Sequence, residues 1–115
     1  MIRIAFASKS SGGLEDEIAD RFGRAPVFTI IELDENGEIK NVRIVANPGA
    51  EAGGGAGVKA VQTLVNERVN IAVGPSFGPN AQVLLEEMNI KPIRISAGTK
   101  ISEALERVKA EILKS

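Results

Sequence analysis

Val27-Phe28-Thr29-Ile30-Ile31-Glu32-Leu33-Asp34-Glu35-Asn36-Gly37-Glu38-Ile39-Lys40-Asn41-Val42-Arg43-Ile44-Val45-Ala46 reads as two strands joined by a turn. Val27 to Leu33 is rich in β-branched and aromatic residues, and Ile39 to Ala46 alternates between two faces. Asn36-Gly37 between them is a hairpin signal, because both residues tolerate positive φ. A calcium loop over Asp34, Asn36 and Gly37 is excluded, since the longer loop and its distal bidentate Glu are missing. The pattern predicts Val42 and Ile44 on the better buried face.

Upstream, Ile2 to Ala7 is an apolar run broken only by Arg3, as in a buried strand, and Ser8 to Gly13 is a loop at its carboxyl end. That is the edge where open α/β sheets bind ligands. Leu14, Ile18 and Phe22 recur every fourth residue, which predicts a short amphipathic helix with Glu15, Asp16, Glu17 and Asp20 on its other faces and Gly23 at its end. Those acids suit the start of a helix dipole better than a hard-cation site. Ser8 and Lys9 do not make a nucleophile and base, because neighbours in sequence rarely face each other and no third group orients them.

Downstream, Ala52-Gly53-Gly54-Gly55-Ala56-Gly57 precedes a helical pattern carrying Val58, Val61, Leu64 and Val65. Glycines at a helix start let main-chain N–H groups reach a ligand and attract anions; a mobile strand-to-helix loop is the competing reading. Val69 to Gly74 reads as a buried strand. Gly78 and Pro79 open the next helix at the N-cap and first helical positions, Ala81, Leu84, Leu85 and Met88 form its buried face, and Asn89 caps it in a left-handed conformation. Pro92 marks Lys91 to Ile95 as an edge strand. A last helix places Ile101, Leu105, Val108 and Ile112 on one face, with Thr99 as N-cap and Lys109 and Lys114 near its end. The order β-α-β-β-α-β-α-β-α implies a mixed five-stranded sheet of order 3-2-1-4-5, with one antiparallel strand and flanking helices.

A chain of 115 residues fits one domain, residues 1–115. With 14 basic and 15 acidic residues it has no broad cationic face for nucleic acid, and four phenylalanines are its only aromatics. Neither cysteine nor histidine is present, which removes disulfides, thiolate nucleophiles, imidazole bases and the preferred zinc, copper and iron ligands. The start MIRIAFASKS is neither a signal peptide nor a membrane span, so the expected location is the cytoplasm. Lys59 lies between Val58 and Ala60, so no Walker Gly-Lys-Ser/Thr follows the glycines.

Arg21-Phe22-Gly23-Arg24-Ala25-Pro26 with Phe28, Asn47-Pro48, Gly54-Gly55-Ala56-Gly57 and Gly78-Pro79-Asn80-Ala81 ahead of Leu84 and Leu85 resemble, in order and over nearly the whole chain, the motifs of the nitrogenase iron-molybdenum cofactor biosynthesis and accessory family. The resemblance implies a ribonuclease H-like topology. It also implies a non-catalytic protein that binds or carries an anionic metallocluster, such as iron-molybdenum cofactor, its precursor or an iron-sulfur cluster, with a protein partner in cofactor assembly. Many relatives have histidine where this chain has Arg21, and histidines near the glycine loop where it has Glu51 and glycines. Carried over residue by residue, the cofactor site is Arg21, Arg24, Gly54, Gly55, Gly57, Gly78 and Asn80, with no catalytic residue and no metal ligand. The cluster or a related small anion would be held by guanidinium and main-chain N–H groups alone. The alternatives are an interaction domain pairing through the edge of the third strand, and a phosphoryl-handling enzyme or a nuclease. The nuclease needs clustered carboxylates, which the first strand lacks.

Overall fold

In the computed structural model, which describes residues 1–113, five strands form one sheet: β1 (Ile2–Ser8), β2 (Val27–Leu33), β3 (Ile39–Ala46), β4 (Ile71–Gly74) and β5 (Lys91–Arg94). Their order is β3-β2-β1-β4-β5. β1 runs parallel to β4, and β4 to β5, while β2 is antiparallel to both β1 and β3. The hairpin therefore adds one strand of opposite direction, as expected. At its turn only Gly37 has positive φ, and Asp34 organises the loop by accepting from the N–H groups of Asn36 and Glu38, both at 2.9 Å.

Three helices, α1 (Ala56–Asn66), α2 (Pro79–Glu87) and α3 (Ile101–Ile112), cover the two faces. Alternation along the strands divides the core. Ala5, Ala7, Phe28, Ile30 and Ala72 pack against Val61 and Leu64 of α1 and Leu85 of α2. Ile4, Phe6, Ile31 and Val73 pack against Ile101, Leu105 and Val108 of α3. The small side chains of β1 and β4 face α1 and α2. Among the described residues no helix is long and apolar enough to cross a membrane.

Several sequence-based expectations are corrected. The segment Leu14–Phe22 is not a helix. Its backbone groups bond outside the segment: Ile18 N–H to the Thr99 carbonyl at 2.8 Å, Ala19 N–H to Ala7 at 2.9 Å, and the Asp16 carbonyl to Ile101 N–H at 2.8 Å. It forms a strap across the end of β1, with isolated bridges Ser8–Ile18 and Glu17–Lys100. Ile18 enters the α3-side core, whereas Ala19 and Phe22 enter the α1-side core, so the period of four joins two cores instead of marking one helical face. Asp16 fixes the preceding loop, accepting from Ser10 N–H at 2.9 Å and Gly12 N–H at 2.8 Å.

Val42 and Ile44 are exposed, because the core under α3 extends only as far as β2; Arg43 and Val45 are the better covered residues of β3. Met88 is 47% exposed, beyond the last turn of α2. Lys100, and not Thr99, stands at the N-cap of α3 and makes no side-chain capping bond. Gly78 and Pro79 open α2 as expected, and Asn89 has φ of 59°. Lys114 lies outside the described residues.

Candidate functional site

The strap delivers Phe22 into the core with Arg21 and Arg24 on either side of it. Phe22 is 1% exposed and its ring lies 5.4 Å from that of Phe28 and 4.9 Å from that of Phe77, centroid to centroid. Burying such a side chain contributes about 2–3 kcal/mol, enough to fix where the flanking arginines leave the surface. Both arginines are exposed.

Glycines seat this loop against the start of α1. A Cβ on Gly23 would come 3.0 Å from the Gly57 nitrogen, and one on Gly49 would come 2.5 Å from the Ala56 carbonyl oxygen. Gly57 in turn lies under α2, where its missing Cβ would sit 3.2 Å from that of Ala81. Gly49 belongs to a short 3-10 turn, Pro48–Glu51. Asn47, 4% exposed, locks the arrangement: its side-chain amide donates to the carbonyls of Gly23 (3.1 Å) and Ala25 (2.8 Å), and its side-chain oxygen accepts from Gly49 N–H (2.9 Å).

The beginnings of α1 and α2 thus lie side by side next to the arginine loop. Arg21, Arg24, Gly57, Ser76 and Gly78 line a hollow of about 280 Å³ that also touches Phe22 and Phe77. It adjoins a second of about 250 Å³, which Gly55, Gly57, Gly78 and Asn80 line, and a third of about 270 Å³ that shares both arginines and is bounded by Lys9 and Asp20. Each alone is smaller than an ordinary ligand pocket, about 300 Å³ upward; Gly57, Phe77 and Gly78 join the first hollow to the second, and Arg21 and Arg24 join it to the third.

Six of the seven residues expected at a cofactor site, namely Arg21, Arg24, Gly55, Gly57, Gly78 and Asn80, therefore line one trough. Gly54 lines none of it: it is exposed, and nothing stands within 4 Å of its Cβ position. Gly55 (φ 68°) and Gly78 (φ 77°, ψ 160°) occupy the N-cap positions of α1 and α2. Ser76 and Phe77 in the lining and Gly49 in the support carry no expected role from sequence, and Gly23 and Asn47 figure there as motif residues without a supporting role. Asn47-Pro48 after a strand was the available signal, as an Asx turn.

Arg3, Arg43 and Arg107 are each ion-paired, with Glu32, Glu67 and Glu103, at 2.7, 2.7 and 2.6 Å. Among the described residues the side chains of Arg21, Arg68 and Arg94 have no hydrogen-bond or ion-pair partner, and Arg24 donates only to the Ala52 carbonyl, at 2.6 Å; of these four only Arg21 and Arg24 line the hollows at the helix starts. The trough arginines thus keep most of their donors unused, beside two helix starts whose first N–H groups lack helical partners.

Residues 1–111 match the family described as dinitrogenase iron-molybdenum cofactor. The chain belongs to the dinitrogenase iron-molybdenum cofactor family. An uncharacterised protein from Methanocaldococcus jannaschii is similar to this chain, 30% identical over 90 residues, 78% of this chain and 75% of its own. The apo form of the orange protein from Desulfovibrio gigas is similar in structure, with a TM-score of 0.84 at 27% identity, covering 96% of this chain and 89% of that one. A putative NifB protein from Thermotoga superposes with a TM-score of 0.72 at 33% identity, again over 96% and 89%.

The donor set decides how a group named by the iron-molybdenum cofactor family could be held here. The sequence has no His or Cys, and among the described residues no three acidic side chains gather to hold a metal ion. Guanidinium, ammonium, amide and main-chain N–H donors fit an anion held by charge and hydrogen bonds. They do not fit a resident cluster ligated through nitrogen or sulfur.

Proposed function

We propose that this protein binds and carries an anionic metallocluster of the iron-molybdenum cofactor type, its precursor or a related small anion, as cargo and without catalysis. The observation that carries the reading is the pair of arginines without carboxylate partners beside the starts of α1 and α2, all facing one trough. Family membership supplies the class of cargo. Main-chain N–H groups and guanidiniums bind anions strongly where water is partly excluded, and they release them without breaking metal bonds. The reading includes a partner protein in cofactor assembly, a cytoplasmic location and the ribonuclease H-like topology that the sheet order supports. It excludes nucleic acid on grounds of charge. Ser8, the one hydroxyl weighed as a nucleophile, is buried and hydrogen-bonded to the Phe6 carbonyl and Thr29, which speaks against catalysis.

Titration with purified iron-molybdenum cofactor under anaerobic conditions tests it. The expected result is a higher melting temperature, shifted amide resonances at Gly55, Gly57 and Gly78, and weaker binding in Arg21→Ala and Arg24→Ala. An unchanged melting curve and unchanged amides would overturn it.

A second reading rests on β3, an edge strand whose Ile39, Val42 and Ile44 are 41%, 37% and 48% exposed. An apolar edge of that kind pairs readily with another chain. Sedimentation at rising concentration, compared with Val42→Lys, separates an interaction domain from a monomeric carrier.

A further inference from the structure

The third hollow of the trough differs from the other two in chemistry. Lys9, Asp20, Arg21 and Arg24 supply its charged lining, and the buried Ala19 and Ala25 lie beneath them. Three cations and one carboxylate line it, and Glu17, paired with Lys9 at 3.5 Å, brings the local balance to +1, in a chain whose total is −1. None of the helix-start residues Gly55, Gly57 or Gly78 lines it.

The backbone fixes where Lys9 stands. Lys9 N–H donates to the Glu17 carbonyl at 3.0 Å, the neighbouring Ala7 carbonyl accepts from Ala19 at 2.9 Å, and Asp16 ties the next residues, Ser10 and Gly12, to the strap. The Lys9 ammonium has one ionic partner among the described residues, Glu17 at 3.5 Å, and both side chains are about half exposed (53% and 46%). Such a pair holds a lysine with at most about 1 kcal/mol, so the ammonium is available to a ligand. Among the described residues Arg21 has no partner to give up, and Arg24 has four of its five N–H donors unused. Cations lining one hollow repel one another, and an anion carrying more than one charge relieves that repulsion.

We propose that this hollow is a distinct subsite for a tetrahedral oxyanion of two or more charges, of the phosphate class, gripped by Lys9 from the loop after β1 and by Arg21 and Arg24 from the arginine loop. A tetrahedral anion presents oxygens in several directions, which suits two planar guanidiniums and an ammonium carried on two loops that line one hollow. The subsite shares both arginines with the cargo trough and rests on the carrier reading only to that extent. The oxyanion is either free or an arm of the cargo.

The test is titration of the full chain with inorganic phosphate at constant ionic strength, followed by amide and side-chain NMR. Saturable shifts at Lys9, Asp20, Arg21 and Arg24 are expected. Lys9→Gln should bind about fivefold more weakly, with a melting temperature lowered by no more than the loss of one exposed ion pair, Lys9→Arg should recover most of both losses, and Asp20→Asn should bind more tightly. Shifts that never saturate, a Lys9→Gln protein that binds like the parent, or shifts confined to Gly55, Gly57 and Gly78 would overturn the subsite and leave the carrier reading intact. Lys9-dependent phosphate binding with no response to purified cofactor would uphold the subsite and remove the metallocluster as cargo. Displacement of bound phosphate by cofactor identifies the oxyanion as an arm of the cargo, and simultaneous binding identifies it as free; both uphold the subsite.

Discussion

The side-chain amide of Asn47 donates to the carbonyl of Ala25 at 2.8 Å, so the end of β3 holds the loop that carries both trough arginines. The same amide reaches Gly23, and its oxygen takes the Gly49 N–H. Asn47→Ala leaves two carbonyls and one N–H group without these partners and should cost at least about 2 kcal/mol in urea denaturation. Asn47→Asp should cost no less, since a carboxylate cannot donate to the two carbonyls. Both should weaken anion binding while leaving Arg21 and Arg24 in the sequence.

The glycines divide into those that permit close approach and those that do not. Gly49→Ala and Gly23→Ala would force a methyl group against backbone atoms at 2.5 and 3.0 Å, and each should lose about 1–3 kcal/mol or more. Gly54→Ala, with open space around it, should change stability by less than about 0.5 kcal/mol. Three denaturation midpoints measured together check the division.

Gly78 combines φ of 77° with ψ of 160°, a region that side chains with a Cβ scarcely enter. Gly78→Ala should therefore lose about 1–3 kcal/mol although nothing crowds the Cβ position. Asn80→Ala, two residues on and exposed, should melt like the parent. A melting comparison distinguishes backbone strain from lost side-chain contacts.

Asp16 provides an acid-sensitive fastening. Burial pushes its carboxyl up, but the N–H groups of Ser10, Glu17 and Gly12, helped by the Lys9 charge, outweigh that and hold it below the usual aspartate value of 3.8. Because the folded value is the lower one, its stabilisation is present above the unfolded pKa and disappears as pH falls through the folded pKa. Urea midpoints measured from roughly pH 6 to pH 2 should fall, and Asp16→Asn should be less stable at neutral pH and less sensitive to acid. Asp34, lowered chiefly by the Glu38 N–H, titrates in the same direction, so Asp34→Asn is the control.

The sheet was legible because its signals are local. Gly37 sets the hairpin, alternation sets each strand's faces, and Gly78-Pro79 sets the start of α2. The arginines and glycines of the trough were legible as motifs, yet their support was not. Gly23, Gly49 and Asn47 act on partners more than twenty residues away or across a loop, where spacing along the chain carries no information. Leu14, Ile18 and Phe22 misled for the same reason. Their period was real, but the hydrogen bonds from Ile18 to Thr99 and from Ala19 to Ala7 gave the backbone partners that a helix would otherwise have supplied. Ile44 was misjudged because whether an apolar residue on an edge strand is covered depends on how far α3 extends.

The strap works as a stitch between the two halves of the interior. Ile18 is anchored beneath α3 and Phe22 beneath α1, and the chain between them is too short to let one move freely of the other. The posture of Arg21 is therefore sensitive to packing on the side of the sheet remote from the trough. Enlarging or emptying the space around Val108 should be felt at Arg21, and a partner pressing on α3 would have a mechanical route to the trough.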